Sequence, residues 1–124
     1  MNPLTYQKEA HRFANHHSKA YPFLGLAEEA GEVCGKVAKF IRKHNGTPPK
    51  KSGSKFKDEA PAEWEQDNEK FLKDLSKELG DVLWMVAEIC SIYGFDLEQI
   101  MEENIAKLED RLSRGVIVGE GDNR

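Results

Sequence analysis

Carboxylates recur at three-residue spacing in two separate stretches: Glu29 and Glu32 in LAEEAGEV, and Glu78 and Asp81 in KELGDVLW. On a helix, residues three apart project on neighbouring lines of one face. Glu78 falls inside an apolar stripe, between Leu75 and Val82, and Asp81 lies about 60° round the helix and about 4.5 Å further along. A carboxylate on a core-facing stripe is costly unless paired, protonated or metal-bound. Two antiparallel helices, each with an acid–x–x–acid pair, can set four carboxylates round one pocket. That all-oxygen donor set suits a hard divalent cation, and Mg²⁺ commonly shares its coordination with substrate phosphates. Ordinary salt bridging to Lys36, Lys39 or Lys77 is the competing account of either pair alone. Glu28 pairs with Glu32 at four-residue spacing but faces further from the core edge than Glu29.

A di-iron bundle also uses helix-borne carboxylates, but it needs Glu-x-x-His pairs. Here Glu32 and Asp81 stand where those histidines would be, and His11, His16, His17 and His44 lie near helix ends or in polar contexts that predict exposure. On a fourth helical stretch, Asn104, Lys107 and Arg111 follow one flank of an apolar stripe. An amide and two cations on one line suit a sugar, a base and a phosphate chain.

The elements that position these groups follow from periodicity and breakers. A first helix is predicted over about Pro3 to Ser18, and a second over about Phe23 to His44, after the Tyr21-Pro22 break. A third is predicted from about Asp67 to Tyr93. A fourth follows Asp96, which with Gln99 makes a capping box, and ends at Arg114-Gly115. Gly31 and Gly35 would permit close helix approach on the second helix. The connection from about Asn45 to Gln66 is long enough to be a lid or a solvated loop. Its lysines can close over a polyanion, and Trp64 can pin it to the helices. Leu97, Met101, Ile105, Leu108 and Leu112 are the expected core face of the fourth helix.

The chain has 124 residues and a formal net charge of −4. Length predicts one domain spanning 1–124, with a non-helical tail from 115, whose modest core is completed by pairing with a copy of itself. The charge argues against a nucleic-acid polymer as partner. No apolar run approaches a membrane span, and the polar N-terminus carries no secretory pattern. Cys34 and Cys90 sit far apart on apolar helix faces, predicting small core fillers in a reducing, cytoplasmic setting.

The stretches GLAEEAGEVCGKVAKFIRK, KELGDVLWMVAEIC and NIAKLEDRLSRGVIVGEGDNR resemble the MazG-like nucleotide pyrophosphohydrolases of the all-α NTP pyrophosphatase superfamily. The resemblance runs from about Leu24 to the C-terminus, apart from the long connection. It implies an all-α, four-helix bundle completed by homo-oligomerisation, as a homodimer or homotetramer. It implies metal ligands at Glu29, Glu32, Glu78 and Asp81, with Mg²⁺ as the cation and Mn²⁺ as a substitute. It also implies a nucleoside triphosphate substrate, held through Asn104, Lys107 and Arg111 and cut to the monophosphate and pyrophosphate. Glu32 or Glu28 would orient or deprotonate the attacking water, and Lys107 and Arg111 would stabilise the leaving pyrophosphate. Trp84 is open to base stacking or an interface, and Arg124 can reach a phosphate. A non-catalytic helical nucleotide-binding or regulatory module is the alternative from a different class.

Overall fold

The computed structural model describes all 124 residues. They form four α-helices and no strand: α1 Pro3–His11, α2 Tyr21–Lys43, α3 Glu63–Tyr93 and α4 Leu97–Ser113. Contacts group them into two units, His16–Val86 and the pair of segments Met1–Asn15 with Ala87–Arg124.

In the His16–Val86 unit, α2 begins without a side-chain cap but with proline in its first turn, where the missing N–H costs nothing. Its end is sharp. Asn45 takes the left-handed conformation (φ 55°), and the Gly46 N–H returns to the Ile41 carbonyl at 2.8 Å, closing a Schellman-type turn. Helix α3 starts at Glu63 rather than near Asp67. Its first turn carries Glu63 and Glu65, acids that favour a helix N-terminus, so the last residues of the expected connection are helix.

The remaining connection is anchored rather than solvated. Phe56 is buried against Phe40 and Phe71, with Trp64 packed beside them. The Phe56 N–H donates to Glu65 Oε1 at 2.9 Å, and Asn68 exchanges two hydrogen bonds with the Lys50 backbone. Trp64 thus pins the loop, its ring edge-on to Phe56 with centroids 5.6 Å apart.

His44 departs from the exposure predicted for it. It is 1% exposed, with its ring against Phe40 and Trp64 and Nε2 3.2 Å from Asp67 Oδ2. Cys34 departs the other way, standing exposed while Cys90 is buried. The α2 face bearing Gly31 and Gly35 has no neighbour within 4 Å of either position, so close approach happens elsewhere, at Gly25. There a Cβ would stand 2.6 Å from Met85 Sδ and Cε.

In the other unit, α1 ends at His11, seven residues short of the predicted Ser18. The chain leaves it through three-residue turns, with Phe13 bonding back to the Ala10 carbonyl and Ala14 to that of His11. Beyond that point the Ser18 hydroxyl accepts from the Ala20 N–H at 3.2 Å, a side chain competing for backbone groups. Gln7 is buried and donates to the Phe95 carbonyl at 2.8 Å while accepting from the Leu97 N–H at 2.8 Å. One side-chain amide therefore satisfies both sides of the turn between α3 and α4. Asp96 caps α4 by accepting from Glu98 and Gln99. The reciprocal half of the expected capping box is missing, because the Gln99 amide bonds to Glu103 instead. At the far end Gly115 adopts φ 70° and the Val116 N–H reaches the Arg111 carbonyl, the predicted stop.

Only part of the predicted core is covered within one chain. Leu97 is buried, but Met101, Ile105, Leu108 and Leu112 face water, and on α3 so do Leu79 and Leu83. No helix is long and apolar enough to cross a membrane.

Candidate active site

Helices α2 and α3 bring Glu29, Glu78 and Asp81 together in the His16–Val86 unit, with one carboxylate oxygen of each within 4.8 Å of the others. Glu29 and Glu78 are half-buried and Asp81 is exposed. Partial burial pushes the Glu29 carboxyl above its ordinary range, and the charges of Asp81, Glu28, Glu78 and Glu32 push the same way. Lys36 Nζ stands 3.3 Å from Glu78 Oε1 and supplies one positive charge to a group carrying three negative ones.

The donor set fits a divalent cation. Three carboxylate oxygens converge from two helices, the uncompensated charge is negative, and Asp81 leaves an open side for water or a phosphate oxygen. Glu32 and Glu28 lie on the same stretch of α2, both exposed, and stand outside the trio. They act on it through charge. Trp84 is partly buried on α3.

The remaining predicted positions lie in the other unit. Asn104 and Lys107 are exposed on α4, and Arg111 is buried. Arg111 Nη2 donates to the Asp122 carbonyl at 2.8 Å, and Asp122 Oδ1 stands 3.5 Å from both Arg111 Nη2 and Lys107 Nζ. The Lys107 charge, and then the Arg111 hydrogen bond, hold the Asp122 carboxyl below the usual carboxylate range. Arg124 turns inward, donating to the carbonyls of Val116, Gly121 and Ile117, while Arg114 holds the Arg124 carbonyl at 2.7 Å. The GEGDNR tail is thus a closed loop tied by Arg124 and by Arg111 and Arg114 at the end of α4, and its aspartate sits on the two cations expected to meet phosphate.

One charged group escaped the sequence reading. Glu88 is fully buried, and its Oε1 lies 3.1 Å from Nδ1 of the half-exposed His11. A signal was present: Glu88 interrupts the apolar run Trp84-Met85-Val86-Ala87 and Ile89-Cys90, where a carboxylate needs a partner.

Comparison with known proteins shows the family. Residues 18–115 match the MazG nucleotide pyrophosphohydrolase domain. The chain is also 36% identical over 105 residues to the Gene 37 protein of Mycobacterium phage L5, covering 85% of this chain and 75% of that protein. No solved structure matches significantly. The matched segment contains both acidic helices as well as Asn104, Lys107 and Arg111, and on that basis the chain belongs to the MazG nucleotide pyrophosphohydrolase domain family.

Proposed function

We propose that this chain, acting as one MazG-like domain over 1–124, hydrolyses nucleoside triphosphates to the monophosphate and pyrophosphate. The observation that carries the reading is the convergence of Glu29, Glu78 and Asp81 in a chain of this family. Glu29, Glu78 and Asp81, with Glu32 from the next turn of α2, would hold Mg²⁺, or Mn²⁺ in its place. Bound there, the cation neutralises the triphosphate and acidifies a water.

The chain's own groups supply the rest. Water adds to the α-phosphorus, the bond from that phosphorus to the bridging oxygen breaks, and pyrophosphate leaves with the electron pair. Glu32, or Glu28 beside it, accepts the water's proton; both are exposed, so the proton passes readily to solvent. Lys107 and Arg111 meet the negative charge of the phosphate chain, and Asn104 and Trp84 meet the nucleoside. Arg124, now bound to tail carbonyls, is a further phosphate contact once the tail opens. The uncovered apolar face of α4, together with Leu79 and Leu83, supports assembly as a homodimer or homotetramer. The acidic, membrane-free character of the chain suits a cytoplasmic enzyme.

The test is pyrophosphate release from a panel of ribo- and deoxynucleoside triphosphates, in Mg²⁺ and in EDTA, with Glu78→Gln alongside. Cation-dependent release that is lost in the variant is expected. Tight nucleotide binding with no product would instead describe a regulatory binding module.

A further inference from the structure

An open cavity of about 290 Å³ lies in the His16–Val86 unit, between the C-terminal half of α2 and the start of α3. Lys36, Lys39 and Lys43 line it at i, i+3 and i+7, so their stems follow one side of α2 over about 10 Å. Lys70 faces them from α3. Against these four cations the lining offers two carboxylates, Asp67 and Asp74. With Lys36 engaged by Glu78 beyond the lining, the local balance is +1 (four lysines less Asp67, Asp74 and Glu78) in a chain whose formal net charge is −4.

The carboxylates do not use up the cations. Lys43 Nζ is 2.7 Å from Asp67 and Lys70 Nζ is 2.6 Å from Asp74, but Lys39 has no partner. A second feature borders the same cavity. His44 lines it, is 1% exposed, and its Nδ1 has no hydrogen-bond partner. Leaving a buried ring nitrogen unpaired is costly, so the His44 end of the groove is a polar wall with unused hydrogen-bonding capacity. The groove also has a direction. Its near end is Lys36, which touches Glu78 of the acidic trio, and its far end is Lys43 and His44.

We propose that this groove binds an oligophosphate chain, with pyrophosphate as its smallest ligand, laid along α2 from the acidic trio towards His44. The inference deepens the hydrolase reading and rests on it for the identity of the ligand, because the groove would retain the pyrophosphate that hydrolysis releases. Lys39 supplies the unshared charge. Lys43 and Lys70 are shared with their aspartates, and Lys36 joins the groove to the cation-binding carboxylates. A single phosphate spans only part of a row of this length, so the groove distinguishes chains from monophosphate.

The test is isothermal titration of the full-length protein with inorganic pyrophosphate, tripolyphosphate and orthophosphate in EDTA, which removes turnover and metal from the readout. Wild-type protein is expected to bind the two chains more tightly than orthophosphate. Lys39→Gln should weaken pyrophosphate about tenfold, the loss of one charge-assisted hydrogen bond. Lys39 is exposed and unpaired, so the variant should fold normally; Lys8→Gln, on α1, controls for net charge and should bind as wild type. The His44 imidazole ¹⁵N signals should shift on pyrophosphate addition. Equal binding by wild type, Lys39→Gln and Lys8→Gln, or no preference for chains over orthophosphate, overturns the proposal. Its failure is separable from that of the hydrolase reading. Lys39-dependent pyrophosphate binding without nucleotide hydrolysis would sink the enzyme and keep the groove, and hydrolysis without Lys39-dependent binding would do the reverse.

Discussion

Replacing Glu29 by glutamine should stabilise the metal-free protein while abolishing its response to divalent cations. Glu29 has no ion-pair partner among its neighbours, and its closest charged groups are the carboxylates of Glu78 and Asp81, within 4.8 Å. At that separation each like-charge pair costs about 0.9 kcal/mol in water and about 3.5 kcal/mol at an effective dielectric of 20. Half-exposure and salt screening favour the low end, so removing two such pairs gives about 1–2 kcal/mol. For a chain of this size that is about 3–10 °C in Tm. The pH dependence has a definite sign. The Glu29 carboxyl is raised in the folded state, so the folded chain binds its proton more readily than the unfolded chain does. Stability from this group is full below the ordinary glutamate range and is lost as pH rises through the raised value. Thermal melts in EDTA from about pH 4.5 to 7 should show the glutamine variant's advantage growing with pH. With Mg²⁺ at a hundred times its Kd, wild type should gain about 2.7 kcal/mol, about 8–13 °C, and the variant little. A variant that melts below wild type in EDTA, or that keeps the full Mg²⁺ shift, would refute the placement of Glu29 in a cation site.

Four further outcomes follow from the geometry. Phe56→Ala should cost about 3–4 kcal/mol by emptying the aromatic cluster under the loop, and trypsin should then cut at Lys51, Lys55 and Lys57 far faster than in wild type. Asp122→Asn should free Lys107 and Arg111 from their shared carboxylate and lower KM for the triphosphate a few-fold; a raised KM would show that the carboxylate itself helps hold substrate. Because Lys107 and Arg111 hold the Asp122 carboxyl low, the tail contact should persist above about pH 4 and be lost as pH falls below it, visible as accelerated cleavage of the tail by an acid-tolerant carboxypeptidase. His11→Ala should destabilise the protein by about 1–3 kcal/mol by stripping one partner from fully buried Glu88, and Glu88→Gln combined with it should recover part of that loss in chemical denaturation.

Where the sequence was readable, the reason is local. The Arg114-Gly115 stop, the Asp96 cap and the stripe carrying Glu78 depend on residues a few positions apart, and periodicity captures them. Glu29, Glu78 and Asp81 could be grouped because both helices repeat the same spacing. What escaped depended on distant partners. The fate of His44 is decided by Phe40, Trp64 and Asp67, and Trp64 sits twenty positions away. Acidic residues before Asp67 read as loop by composition, although they are favourable in the first turn of a helix. The exposure of Cys34 and of the α4 stripe has a different origin, since an amphipathic pattern records that a face is suited to burial but not what would bury it.

That open stripe on α4 bears on how long the helix persists. Within the chain, its buried side chains are Leu97 at one end and Arg111 near the other, and helices owe most of their stability to packing of their apolar face. Local opening of α4 should therefore precede global unfolding, and its amides should exchange faster than those of the aromatic cluster around Phe40. Any copy that covers Ile105 and Leu112 would slow that opening in proportion to its concentration. Self-association as proposed above would make amide exchange along α4 a gauge of protein concentration. In a cell expressing little of the chain, the segment bearing Asn104 and Lys107 would be the first surrendered to proteases.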